Sequence, residues 1–538
     1  MRTNTAHQSV AAVLFMVSIL LILFASGGFP SAETARGRTE PAVACPPQTQ
    51  PQGGQCVLSG DVRLAKTLRL ASDTKLNCKG HKLMPTTTGS DISNRSQPEV
   101  AIFLNGVQNI QIQNCVIDGF DFGIFAIKSK VSTELKGNPG ALALRRNKIL
   151  QNTINARFMA IGLASVDNTE IKDNTIKYTT AGGKGLYVGR DSDLNSINNN
   201  TITGDIASAT SQAVGAPGPV NPSSNPVVAV GQAVLITQTL GPDPTLLNAI
   251  IEGELFQLPV VNSPTPNEDF SKDNIFEGNT VVFTQLPFDG VVISIAQQTG
   301  VRNNTVRAAA NSIRAGIQSG AKGLNKKFPG GCTTPVVGRS CLVNADCNIL
   351  ETTGSACSSP EPPTVPVFWL SDGNVIEGNT ITGPFNSGIS TTGRNTIIRS
   401  NTITWPLRLP GTGLAINLVA KFGLGPTTTV TRNVVSNVAT ALALNNTPAQ
   451  VPNLPASVFE ARVSLNDFTG YTTSVRTDIA ATLSAGGQGN FWDLPCPLGF
   501  DPTKVQKVKP DIAVVTDDHP FGTSVARLSA SSLPQPCR

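Results

Sequence analysis

The chain has 538 residues with 49 Gly, 38 Pro, 14% charged and 5% aromatic side chains, which excludes a coiled coil or a disordered chain and implies a large, turn-rich globular core. Its formal net charge of +5 is spread along the sequence without a Lys/Arg run, so nucleic acid is not an expected partner. Ten cysteines, all beyond the N-terminal apolar run, suit disulfides in an oxidising compartment.

Arg2 precedes an apolar run from Val10 to Ala25, interrupted only by Ser18, and the small, turn-prone stretch SGGFPSA follows. This pattern predicts a secretory signal peptide over residues 1–32. The run falls short of the roughly 20 residues that span a bilayer, so no stable membrane span is expected after its removal. The mature chain is then secreted or periplasmic. Residues 33–55 form a linker or cap, in which Cys45 can bond Cys56.

From residue 56 one short phrase keeps returning. It reads NCVIDG from Asn114, NTINA from Asn152, NTIKY from Asn174, NTITG from Asn200, NTVVF from Asn279, NTVRA from Asn304, NTITG from Asn379 and NTITW from Asn401. Weaker copies start at Asn433 and Asn466. The spacings 152 to 174, 174 to 200, 279 to 304 and 379 to 401 are 22, 26, 25 and 22 residues, and the longer gaps of 79 and 75 are near three such units. Within a coil the phrase is followed by an apolar strand that usually begins at Gly, as at Gly123, Gly185, Gly290, Gly316, Gly388 and Gly413. A third run, such as NVIEGN from Asn374, leads back to the next copy. Three short β-branched strands per coil predict an all-β fold: a single right-handed parallel β-helix of about ten or more coils over residues 56–495. Each repeated Asn can join a ladder of side-chain amides at one bend, a structural role, while the next Ile or Val fills the core.

In the first coil, Asn77-Cys78 would stack on Asn114-Cys115, close enough for a disulfide. Insertions are expected near 206–226, 241–272 and 320–372, with shorter ones at 131–140 and 446–457. Most follow a Gly-initiated strand, so they would rise from one side of the solenoid and wall a groove. One of them holds Cys332, Cys341, Cys347 and Cys357 with the spacing C-x8-C-x5-C-x9-C, which fits a stapled loop better than a zinc site. Residues 496–538 form a tail or cap that a Cys496 to Cys537 bridge would pin over the open end.

These phrases resemble the right-handed parallel β-helix repeat proteins of the pectin-lyase-like superfamily, over roughly residues 56 to 495. The resemblance implies the fold; members include polysaccharide lyases, hydrolases and epimerases as well as non-catalytic proteins, so it leaves the reaction open.

Lys128, Arg190, Lys322, Arg394 and Lys421 stand at the ends of the Gly-initiated strands, beside the expected groove. Such a row of cations suits the carboxylates of an acidic polysaccharide or cell-surface glycan, although strand ends are also commonly solvated by Lys and Arg. The middle coils hold no His, so acid–base chemistry would fall to other groups. The weak catalytic candidates are Arg190, Asp191 and Asp193 beside Tyr187: the two carboxylates could hold Ca²⁺ and Arg190 could assist removal of a proton, or the segment is simply a polar turn. No other cofactor is expected, and three His and four Met weaken a metal-handling role. The sequence thus leaves two readings, a secreted glycan-binding protein without established catalysis and a lyase or hydrolase on a uronate-containing polysaccharide.

Overall fold

The computed structural model describes residues 45–86, 99–179, 183–189, 191–204, 232–237, 250–251, 254–255, 271–283, 289–294, 296–308, 312–320, 330–332, 340–341, 357–358, 372–391, 395–418, 428–446, 461–477, 481–485, 487–494, 496, 498–507, 515–521, 523–525 and 536–537. The expected signal peptide and most of the linker after it lie outside these residues.

The strands wind as a right-handed parallel β-helix, the hand that crossovers between parallel strands take. Return strands, from Gln55–Val57 through Ser196–Asn198 to Ala461–Ser464, form one thirteen-stranded sheet in which only the N-terminal strand Gln50–Gln52 is antiparallel. The strands after each ladder position and the Gly-initiated strands make up the rest of the wall. Alternation sets the core: Ile176 points inward between Thr175 and Lys177, and stacks in register between Ile154 and Ile202. Stacked, fully buried Ile, Val, Leu and Phe fill the interior from Leu76 to Val475. Where the Gly-initiated strands begin, space is short. A Cβ on Gly388 would lie 2.5 Å from Ile403 Cγ2 and 2.8 Å from the Gly413 carbonyl oxygen, so this column takes small residues, mostly Gly, with Ala at Ala101, Ala160 and Ala441 and Ser at Ser474.

The amide ladder is continuous. The Nδ2 of Asn152 donates to Oδ1 of Asn174 at 3.0 Å, and the same bond recurs at 2.8–3.0 Å through Asn200, Asn279, Asn304, Asn379, Asn401, Asn433, Asn466 and Asn490. The residue before each ladder Asn from Asn152 to Asn466 turns the chain with positive φ, as at Asp173 (56°), Asn199 (55°) and Ser400 (56°), a conformation that polar side chains and Gly tolerate best.

Two sequence expectations are corrected by this register. The gaps of 79 and 75 residues are each one coil carrying an insertion, because Asn200 bonds directly to Asn279 and Asn304 directly to Asn379. The copy starting at Asn114 is shifted by one: Val116 pairs with Thr153, so Cys115 occupies the ladder position and bonds Cys78 of the preceding coil.

Both ends are closed. Cys45–Cys56 ties down the N-terminal hairpin and Cys496–Cys537 the C-terminal segment. That segment is more than a tail, since Val505–Lys507 extends the Gly-initiated sheet and Asp517 ends the ladder. Its Oδ2 accepts from Asn490 N (2.8 Å), Asn490 Nδ2 (3.0 Å) and Trp492 Nε1 (2.8 Å). Burial pushes the Asp517 carboxyl up to about 6 from an ordinary 3.8, against these donors, which pull it down. The folded state therefore binds this proton more tightly than the unfolded chain, and the resulting stabilisation is complete below about pH 3.8 and lost as pH rises through 6. The urea midpoint of the wild type, measured relative to that of Asp517→Asn, is expected to fall between pH 4 and pH 7. Parallel pH profiles for the two proteins would refute this assignment.

Candidate functional site

One corner of the coil collects the insertions. Segments 130–146, 238–274, 321–374, 419–427 and 447–460 all run from the end of a Gly-initiated strand to the start of a return strand. Segment 205–231 instead follows a ladder strand, Thr201–Gly204.

At this corner three successive coils are clamped by charge. Asp167 follows the strand Thr153–Val166, and its carboxylate is completely buried. Asp191 and Asp193 follow Lys184–Gly189 in the next coil. Lys130 and Lys136 come from the coil before, where two short helices, Thr133–Lys136 and Pro139–Ala143, replace a tight turn. Lys130 Nζ lies 2.8 Å from Asp167 Oδ1 and 2.9 Å from Asp191 Oδ2, and it also donates to the Asp191 carbonyl. Lys136 Nζ lies 2.6 Å from Asp193 Oδ2 and 3.3 Å from Asp167 Oδ2. Backbone donors complete the network: Asp193 N and Val131 N donate to Asp167, and Lys272 N of the following coil donates to Asp193 Oδ1.

The electrostatics follow from this packing. Burial pushes the Asp191 carboxyl up to about 6; Lys130 pulls it down, and the charges of Asp193 and Asp167 add to the rise. Burial, then the charge of Asp193, raises Asp273 as well. For Lys136, burial disfavours the charge, but the hydrogen bond to Asp193 and the nearby Asp167 outweigh it and hold the ammonium above its ordinary range. The corner thus offers a half-buried carboxyl that exchanges its proton near neutrality beside a lysine ammonium.

The structure brings Asp191 and Asp193 together, as partners of lysines that the sequence reading did not associate with them. Ca²⁺ does not fit this arrangement, because ammonium groups already face the two carboxylates. Among the described residues, no group of three or more His, Cys, Asp or Glu is placed to hold a metal ion. Tyr187 does not line the corner; it is fully buried among Phe103, Phe125, Phe122 and Phe158 on the outer side of the Gly-initiated strands. Lys128 is exposed at its strand end. Arg190, Lys322, Arg394 and Lys421 lie outside the described residues, as does Cys347. Within the insertion before Val375, Gly330–Cys332 pairs with Ser340–Cys341 and with Cys357–Ser358 in a small antiparallel sheet.

A second ionic cluster escaped the sequence reading. Arg157 Nη2 lies 2.8 Å from Glu99 and its Nε 2.8 Å from the fully buried Asp121, where the Gly-initiated strands begin. Its signal was the aromatic and acidic alternation of GFDFGIF from Gly119, which marks an outer face that is itself buried. No described helix is long and apolar enough to cross a membrane.

No family model matches the chain, and no curated protein matches it. Among solved structures it is similar to the tailspike protein of E. coli bacteriophage HK620 in complex with a pentasaccharide, at 12% identity and a TM-score of 0.35, over 82% of this chain and 61% of that one. It is also similar to the A-module of a mannuronan C-5 epimerase of Azotobacter vinelandii, at 12% identity and a TM-score of 0.29, over 71% of this chain and 88% of that one. The chain thus spans about three fifths of the length of the tailspike chain.

Proposed function

We propose that the protein is secreted and binds acidic glycans along the corner from which its insertions leave the solenoid. The observation that carries this reading is the concentration of five inserted segments at one corner, beside a half-buried network of lysines and aspartates. Loops that share a turn of a solenoid form one binding surface. The exposed Lys128 and the basic residues Arg190 and Arg394 supply the charge that carboxylates of a uronate polymer would meet. The disulfides Cys45–Cys56, Cys78–Cys115 and Cys496–Cys537 suit an oxidising, extracytoplasmic compartment.

Titration with polygalacturonate oligomers tests the reading. The wild type is expected to bind, and the triple variant Lys128→Glu, Arg190→Glu, Arg394→Glu to bind at least about tenfold more weakly, since 1.4 kcal/mol of lost interaction is one decade. Equal affinity of the two proteins would overturn it.

A lyase or hydrolase reading draws on one observation, the Asp191 carboxyl held near pH 6 within 2.9 Å of Lys130, the environment that a general acid needs. Incubation with uronate polymers would then yield unsaturated products or new reducing ends, and Asp191→Asn would abolish them. Binding without turnover leaves the non-catalytic reading.

A further inference from the structure

The outward face of the return strands carries a pattern that neither the core nor the charged corner requires. In each of these strands the middle side chain points into the core and the two beside it point outward, so the sheet shows two columns in register from coil to coil. One column reads Glu277, Arg302, Glu377, Arg399 over four successive coils. The other reads Ile275, Gly300, Val375, Ile397 in the same coils. Ile275 is 37% exposed, and Val375 and Ile397 are partly exposed, so apolar surface meets solvent beside the charges.

Read backwards, the charged column is its own complement and the apolar column stays apolar. Consider a two-fold axis along the strand direction, midway between Gly300–Arg302 and Val375–Glu377, that sets the sheet of a second copy face to face with its coils reversed. Arg302 then meets Glu377 of the second copy and Glu277 meets Arg399, while Ile275 meets Ile397 and Gly300 meets Val375. The match continues outward: Ser196 falls opposite Thr429, Asn198 opposite Thr431 and Glu170 opposite Arg462. Lys172 falls opposite Ser464 and is the one charge of this stretch that meets no opposite charge.

Within one chain the charged column is incompletely paired. Arg399 is bidentate on Glu377 at 2.8 and 2.9 Å, and Glu277 accepts from Asn303 Nδ2 at 3.1 Å. Arg302 stands between the two glutamates, yet it has no ion pair among the described residues and its Nε is buried without a hydrogen-bond partner. A Cβ on Gly300 would lie 3.2 Å from that Nε, so the Arg302 side chain lies across the glycine, next to the axis.

We propose that the return sheet is the interface of a homodimer, two solenoids packed antiparallel and face to face about this axis. An isologous interface demands a self-complementary patch, and a column that alternates in sign over an even number of coils is one. Facing sheets pack about 10 Å apart, within reach of Arg and Glu side chains from the two sides. At about 4.8 Å per strand the matched stretch runs roughly 34 Å along the solenoid, a narrow strip that puts the dimer at the weak end of specific interfaces. The operation preserves strand direction, so the insertion corners of both copies lie along the same side of the pair. The proposal does not rest on the glycan reading, since no facing residue belongs to the charged corner.

Sedimentation equilibrium of the full chain at up to about 100 μM tests it. The wild type is expected to dimerise. Arg302→Glu sets carboxylates opposite each other at both symmetric points, and Glu377→Arg sets guanidinium groups there, so each variant alone is expected to dimerise at least about tenfold more weakly. An equimolar mixture of the two variants is expected to recover wild-type association, because each altered side chain then faces an opposite charge. That recovery would also show that both variants are folded. A wild type monomeric at this concentration, either variant as dimeric as the wild type, or a mixture no more associated than its components would each overturn the proposal.

Discussion

Replacing Asn304 by Leu is expected to lower the stability of the solenoid by about 4 kcal/mol or more, far beyond the effect of a typical substitution. The Asn304 side chain donates to Asn379 Oδ1 and to the Phe276 carbonyl, both at 2.9 Å, and accepts from Asn279 N at 2.8 Å and Asn279 Nδ2 at 3.0 Å. Leucine has the same branched heavy-atom skeleton, with bulkier methyl groups, but leaves those buried groups without partners, and an orphaned polar group costs more than a hydrogen bond contributes. Thr305→Val, one residue away but outward-facing, is expected to change stability by no more than about 0.5 kcal/mol. Urea midpoints of the two variants check the contrast; similar midpoints would mean that the ladder is not what holds the coils together.

The second large effect concerns the start of the ladder, where Cys78–Cys115 takes the place of an amide pair. Closing a loop with a sequence separation of 37 restricts the unfolded chain by an amount worth about 4 kcal/mol in the chain-entropy model. Both cysteines are at most 1% exposed, so reductant should act only on the unfolded chain. The variant Cys78→Ala, Cys115→Ala is therefore expected to unfold at a midpoint well below that of the oxidised wild type, and full reduction, which also opens Cys45–Cys56 and Cys496–Cys537, to lower the wild-type midpoint at least as far. An oxidised wild type no more stable than the alanine variant would contradict this.

The ladder was legible because it recurs in sequence at the coil period and needs one residue type. Its register failed at Asn114 because the phrase there begins one residue early, with Cys115 in the ladder position. Length alone misled at the two long gaps, since an insertion of the right size imitates whole coils. A second polar column was equally legible and was overlooked: Asn147, Thr169, Asn195, Asn274, Thr299, Asn374, Thr396 and Thr428 are buried two residues before the inward Ile, Val or Phe of each return strand. Asn195 Nδ2 donates to Asn274 Oδ1 at 3.1 Å, so part of this column forms a ladder of its own. The charged corner was half legible. Asp191 and Asp193 stood out by their spacing, but Lys130 and Lys136 are brought to them only by stacking and by the two-helix insertion, across sequence separations of 61 and 57. No local pattern reports such a contact.

On the proposed function, acidic ligands bind at the corner holding Lys128, Lys130, Lys136, Asp191 and Asp193, and not along the ladder. Hydrogen exchange on the full chain, with and without saturating polygalacturonate oligomers, tests this most directly. Protection is predicted in peptides covering residues 128–136, 189–194 and 271–274, with no change at Thr175, Thr305 or Thr380 on the ladder strands. Protection confined to the ladder strands, or bound oligomer with no protection in these three segments, would contradict the account.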